Sequence, residues 1–101
     1  MRQYLENILP DYFEQNRRCG HERSVLFCGK YIFSYDTCIG VLEKHDNGTV
    51  LYLNKTKYSS TTSTLQNAMR EYAKRYVDKM YELPEGDAVF DAEITVAVGE
   101  R

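Results

Sequence analysis

The side chains able to do chemistry fall into three groups, and the first has the types of a metal site. Cys19, His21, Cys28, Cys38 and His45 carry thiols and imidazoles. Structural zinc sites place cysteines in close C-x2–4-C pairs, because a tight knuckle must aim two thiolates at one ion. Here the cysteines stand far apart, and Cys19-Gly20-His21 is the one short pair. Cys28 and Cys38 sit in apolar stretches, where a free cysteine ordinarily packs as core. The second group is the hydroxyl run Ser59-Ser60-Thr61-Thr62-Ser63-Thr64. A hydroxyl nucleophile needs an adjacent base, and neither His21, in a polar stretch, nor His45, beside a turn, is placed to serve it. The chain contains no Gly-x-Ser-x-Gly elbow, no phosphate-cradling glycine loop and no His-Glu-x-x-His helix. Carboxylates form the third group, and no spacing among them singles out an acid/base pair. The expectation is a protein that is not an enzyme and uses no metal or cofactor.

Charge distribution says more than net charge. A formal charge of −2 exerts no overall pull toward nucleic acid. Locally, Lys55, Lys57, Arg70, Lys74, Arg75 and Lys79 outnumber Glu71 and Asp78. From Glu82 onward, Glu85, Asp87, Asp91 and Glu93 make a purely acidic segment. An ordinary solvated surface of mixed sign is the plainer reading. The functional reading gives the molecule two faces: Arg70, Lys74, Arg75 and Lys79 to meet phosphate, and the acidic segment to imitate phosphate in a basic groove. Nine tyrosines with no tryptophan suit the rim of a small core or the centre of an interface, Tyr35 and Tyr58 among them.

The elements that must position these groups follow from periodicity. Tyr4, Leu5, Ile8, Leu9, Tyr12 and Phe13 share one face of a helix over 3–17, with Pro10 predicting a kink or a second start. Residues 16–22 read as a polar loop. Ser24–Cys28 and Lys30–Tyr35 read as strands about Gly29, and Thr37–His45 and Thr49–Asn54 as a hairpin about Asn47-Gly48. A type I′ turn at Asn47-Gly48 sets His45 opposite Val50, Glu43 opposite Tyr52 and Val41 opposite Asn54. An unbroken apolar stripe predicts a long helix from Thr64 to about Tyr81, opened by Ser63 and Gln66 at capping-box spacing, with Glu71 and Arg75 as an outer-face pair. Ala88 to Val98 alternates as a final edge strand. The 101 residues fit a single α+β domain, an antiparallel β-meander packed against one long amphipathic helix with an N-terminal helical segment.

Phe33-Ser34-Tyr35-Asp36-Thr37 with Cys38-Ile39-Gly40, and Tyr58-Ser59-Ser60-Thr61-Thr62-Ser63 with Gln66-Asn67, resemble a small uncharacterised family of bacteriophages and mobile elements of gut bacteria. Its members read F-S-Y-x-T-x-V-A, a short hairpin, then Y-S-x-T-T-S-R-H-x-N opening a helix. The resemblance covers about the middle third of the chain and implies no particular activity. Thr64-Leu65 stand where the family often has Arg-His, so no basic contact is carried over there.

Three functions follow as expectations. The first is a phage or mobile-element accessory protein that binds a host protein, most concretely an anti-CRISPR-type inhibitor of a defence nuclease (a CRISPR effector or another nucleic-acid enzyme). It would act through Glu82, Glu85, Asp87, Asp91, Glu93, Tyr35 and Tyr58. The second is nucleic-acid binding through Arg70, Lys74, Arg75 and Lys79. The third is anion binding at a helix start ringed by Ser59, Thr61, Thr62 and Ser63. An odd cysteine count with no apolar leader predicts reduced thiols and the host bacterial cytoplasm, and no stretch is apolar enough for a membrane. An uncovered edge strand would also favour a homodimer.

Overall fold

The computed structural model describes residues 2–91. Its elements are helix α1 (Gln3–Glu14), strands β1 (Cys19–Glu22), β2 (Val25–Cys28), β3 (Tyr31–Ser34), β4 (Thr37–His45) and β5 (Gly48–Asn54), helix α2 (Ser60–Tyr76), strand β6 (Lys79–Leu83), and a 3-10 turn at Ala88–Phe90. The strands form one sheet in the order β1-β2-β3-β4-β5-β6. The first five are joined as an antiparallel meander, and β6 returns parallel to β5 after crossing through α2. The α+β reading therefore holds, with a mixed sheet in place of a purely antiparallel one. No helix of the described residues is long and apolar enough to cross a membrane.

Alternation along each strand splits the apolar side chains between the two sheet faces. One face meets both helices: Phe27, Ile32, Ile39, Leu42, Leu51 and Leu53 pack beneath Leu5, Ile8, Leu9 and Phe13 of α1 and Leu65, Met69 and Tyr72 of α2. Stacked rings of Phe13, Tyr72 and Tyr76 seal the two helices together. The opposite face carries Cys28, Phe33, Cys38 and Val41 against Phe90, with Tyr31 and Tyr52 at its margin.

A bulge in β4 adjusts the first face. Ile32 pairs with Gly40 and Phe33 with Cys38, leaving Ile39 as the extra residue. Gly40 lies under α2, where an added Cβ would stand 2.5 Å from Met69 Cε and 3.0 Å from Ile32 Cγ2.

Several boundaries differ from the sequence expectation, each for a tertiary reason. Helix α1 runs through Pro10 as one element and ends at Glu14, with Gln15 left-handed at φ 55° and its amide bonded to Tyr12 O and Gly29 O. The polar stretch 16–22 contributes β1, because pairing with β2 satisfies its backbone whatever its side-chain propensity. That register sets Cys19 directly opposite Cys28, and the two form a disulfide, so the expectation of three reduced thiols fails at these positions. Cys38 is the free cysteine.

The hairpin turns on Asp46-Asn47, with His45 opposite Gly48, Glu43 opposite Val50 and Val41 opposite Tyr52. This is two residues from the expected register, which preserves the faces. Gly48 carries a φ of 146°, and a Cβ there would lie 2.7 Å from Asp78 Oδ2, so the glycine leaves room for Asp78, which follows α2.

Helix α2 begins four residues earlier than predicted. Its cap is Ser59, whose Oγ accepts from Thr62 N at 3.3 Å, in place of Ser63. It stops at Tyr76 instead of continuing to Tyr81, because the N–H of Asp78 donates to Thr49 O and the chain is captured at the edge of β5. Met80 and Tyr81 extend the apolar pattern as strand residues. The expected edge strand Ala88–Val98 is replaced at Ala88–Phe90 by the 3-10 turn, capped by Asp87 Oδ1 accepting from Val89 N. Positions 92–98 of that expectation lie outside the described residues.

Two outcomes test this arrangement. Gly40→Val should lower unfolding stability by about 1–3 kcal/mol through overpacking against Met69, measured by urea titration. Reducing the Cys19–Cys28 bridge, which closes a short loop, should cost about 2–3 kcal/mol while circular dichroism still reports a folded sheet.

Candidate functional site

The two sequence motifs meet in space. Ser34 Oγ and Thr62 Oγ1, both buried, stand 2.9 Å apart and join the β3–β4 turn to the first turn of α2. Beside them, buried Asn54 donates from Nδ2 to Cys38 O and to the Tyr58 hydroxyl, each at 3.1 Å, and accepts from Thr56 N at 3.0 Å. Gln66, predicted as a capping partner, is buried and donates to Asn54 O at 2.6 Å and Thr56 O at 2.9 Å. Thus Ser59 and Thr62 of the expected anion ring are occupied with capping and with Ser34, while Thr61 and Ser63 stay half-buried at the surface. Burial is the larger cause that raises the Tyr58 hydroxyl above its ordinary pKa, opposed by the hydrogen bond from Asn54.

The acidic and basic groups are interleaved instead of segregated. Arg70 Nη2 lies 2.9 Å from Glu82 Oε1, and Lys74 pairs with Glu71 at 3.3 Å, so the expected Glu71–Arg75 pair is replaced. Arg75 sits over the Tyr72 ring at 5.0 Å. Lys79 begins β6 and is exposed. Of the acidic segment, the Glu85 N–H donates to Thr56 Oγ1, Asp87 caps the 3-10 turn, and Asp91 follows it, exposed. Glu93 lies outside the described residues. Tyr35 is 60% exposed at the β3–β4 turn with φ 55°, whereas Tyr58 projects from the loop before α2 with its hydroxyl held by Asn54.

A groove of about 550 Å³ lies between α2 and β6. Ala73, Val77 and Met80 line its floor, and Arg70, Lys74 and Lys79 face Glu71 and Asp78 around its rim. Strand β6 forms the outer edge of the sheet among the described residues, and Lys79, Tyr81 and Glu82 are exposed along it. On the other face of this edge Tyr81 stacks on Tyr52 with ring centroids 5.7 Å apart. Sequence reasoning missed the groove because it assigned Met80 and Tyr81 to the helix.

Among the described residues no group of three or more His, Cys, Asp or Glu is placed to hold a metal ion. The disulfide withdraws Cys19 and Cys28 from the candidate ligand set. His45 Nε2 lies 3.4 Å from Glu43 Oε1 near Lys30, far in sequence and register from the hydroxyl run. Burial pushes the Cys38 thiol up to about 12, partly offset by the Gly40 backbone, which leaves it neutral and unreactive near neutral pH. Compared with known protein families, curated proteins and solved structures, the chain finds no match in any of the three.

The raised thiol pKa has a signed consequence. The folded-state value lies above the unfolded one, so the contribution of Cys38 is fully present below the ordinary thiol range and is lost as pH climbs toward about 12. Buried Tyr12, shifted the same way by desolvation, adds to the loss once pH passes the ordinary tyrosine range. Native protein at pH 8 should react with a thiol reagent far more slowly than denatured protein. The urea midpoint should fall above about pH 9, and less steeply in Cys38→Ala.

Proposed function

We propose that this chain is a non-enzymatic binding protein whose partner is another protein, engaged along β6 and the groove beside it. One observation carries the reading: an exposed sheet-edge strand borders an apolar-floored groove on one side and a tyrosine stack on the other. A strand edge offers main-chain hydrogen bonds to an incoming extended segment, and pockets on alternate sides select its side chains. The rim suits a segment bearing an acidic residue, because Lys79 has no ion-pair partner among the described residues while Arg70 and Lys74 are already paired. Pairing of Arg70 with Glu82 also counts against a free acidic face that imitates phosphate, and against a continuous basic strip for nucleic acid.

The motif resemblance supports a phage or mobile-element setting, in which the host partner is a nucleic-acid enzyme and binding inhibits it. Acting in a host cytoplasm, the protein would meet reductants that open the Cys19–Cys28 bridge.

The test is affinity capture from nuclease-treated bacterial lysate with wild-type protein and with a Tyr81→Ala/Lys79→Glu variant, both positions being exposed. One dominant protein, retained by the wild type and lost by about tenfold or more with the variant, is the expected result. Equal capture by the variant removes the β6 edge from the interface. Capture of nucleic acid alone, when nuclease is omitted, replaces this reading with the basic face of α2. Sedimentation of the purified chain shows whether a second copy occupies the same edge.

A further inference from the structure

At the other end of α2 the structure holds a second concavity of different chemistry. About 300 Å³ in volume, it is lined by Arg2, Tyr4, Arg23, Ser24, Tyr35 and Thr61. Four separate parts of the chain converge there: the start of α1, the β1–β2 turn, the β3–β4 turn and the first turn of α2. They are tied in place by the Ser34–Thr62 contact and by Tyr35 N donating to Ser24 O at 2.8 Å.

Its walls are donors. Arg23 lies with its guanidinium 4.9 Å from the centre of the Tyr4 ring, and neither Arg2 nor Arg23 makes an ion pair with a described residue. Ser24 Oγ is buried from solvent and has no hydrogen-bond partner, a costly state for a hydroxyl that an incoming acceptor would relieve. Thr61 belongs to the leading turn of a 17-residue helix, whose first N–H groups precede any intrahelical acceptor and whose dipole favours negative charge. Two planar guanidiniums, hydroxyls and a helix start match the oxygens of one tetrahedral anion, and fork-shaped arginine donors hold phosphate more firmly than point charges do.

We infer that this cavity binds a phosphate monoester group, free or carried on a nucleotide. Arg2 and Arg23 hold its charge, Ser24 Oγ donates to one oxygen, and Thr61 presents the helix start. The volume admits the phosphate and a small substituent but leaves no room for a large enclosed ligand. The inference is independent of the β6 interface, which lies along the far half of α2.

Isothermal titration with inorganic phosphate and with a nucleoside 5′-monophosphate tests it. Saturable one-site binding is expected, weakened about tenfold or more by Arg23→Gln and by Arg2→Gln. Tighter binding of the nucleotide assigns the cavity to nucleotides, and equal binding assigns it to the phosphate group alone. Absence of saturable binding overturns the inference, and so does unchanged affinity in both arginine variants. Arg2 is exposed beside the chain's start, so its replacement leaves the fold intact and keeps the test decisive if Arg23→Gln is unstable.

Discussion

Asn54 stands where the sheet hands over to the crossover helix, and its amide is engaged on every side. It reaches the backbone of β4 through Cys38 O and the loop before α2 through Tyr58 and Thr56, while the main-chain carbonyl of Asn54 accepts from Gln66 of α2. A buried amide with partners missing is costly, whereas a satisfied one specifies a single arrangement. The side chain and carbonyl of this one residue thereby tie the end of β5 to β4, to the loop before α2 and to α2 itself. Both concavities lie along α2, so their geometry depends on it too.

Much of the fold was legible because the relevant signals are local. β-Branched and aromatic runs about Gly29 and the Asn47-Gly48 signal gave β2 to β5 within a residue or two, and the helical stripe gave the inward face of α2 from Leu65 to Ala73. What escaped depended on contacts remote in sequence. Cys19-Gly20-His21-Glu22 has weak strand propensity and becomes β1 only through its partner, and the same pairing brings Cys19 to Cys28. Val77 to Leu83 satisfies either period, and capture of Asp78 by Thr49 resolves it as a strand. The turn also places Gly48 against Asp78, a contact remote in sequence that Asn47-Gly48 does not encode.

The candidate sites were less legible than the fold. The expected charge segregation dissolves because Arg70 and Glu82, far apart in sequence, face one another across the α2–β6 junction. Arg2, Arg23 and Ser24 had no motif to announce them, since they converge from separate turns. Tyr35 and Thr61 were singled out from their motifs, and their placement on one cavity gives the two motif stretches a shared location beyond the Ser34–Thr62 bond.

The parallel return of β6 has a kinetic consequence. Strands β1 to β5 are joined by short turns and can pair progressively, each rung closing a small loop. Strand β6 pairs with β5 only across the intervening 17-residue α2, so its contacts carry a greater loop-closure cost. An edge element with one paired side and largely exposed residues is also among the first to open in the native state. A partner seated on β6, as proposed, would bind an edge of the sheet that opens readily, and its occupancy would slow local opening as well as conceal a surface.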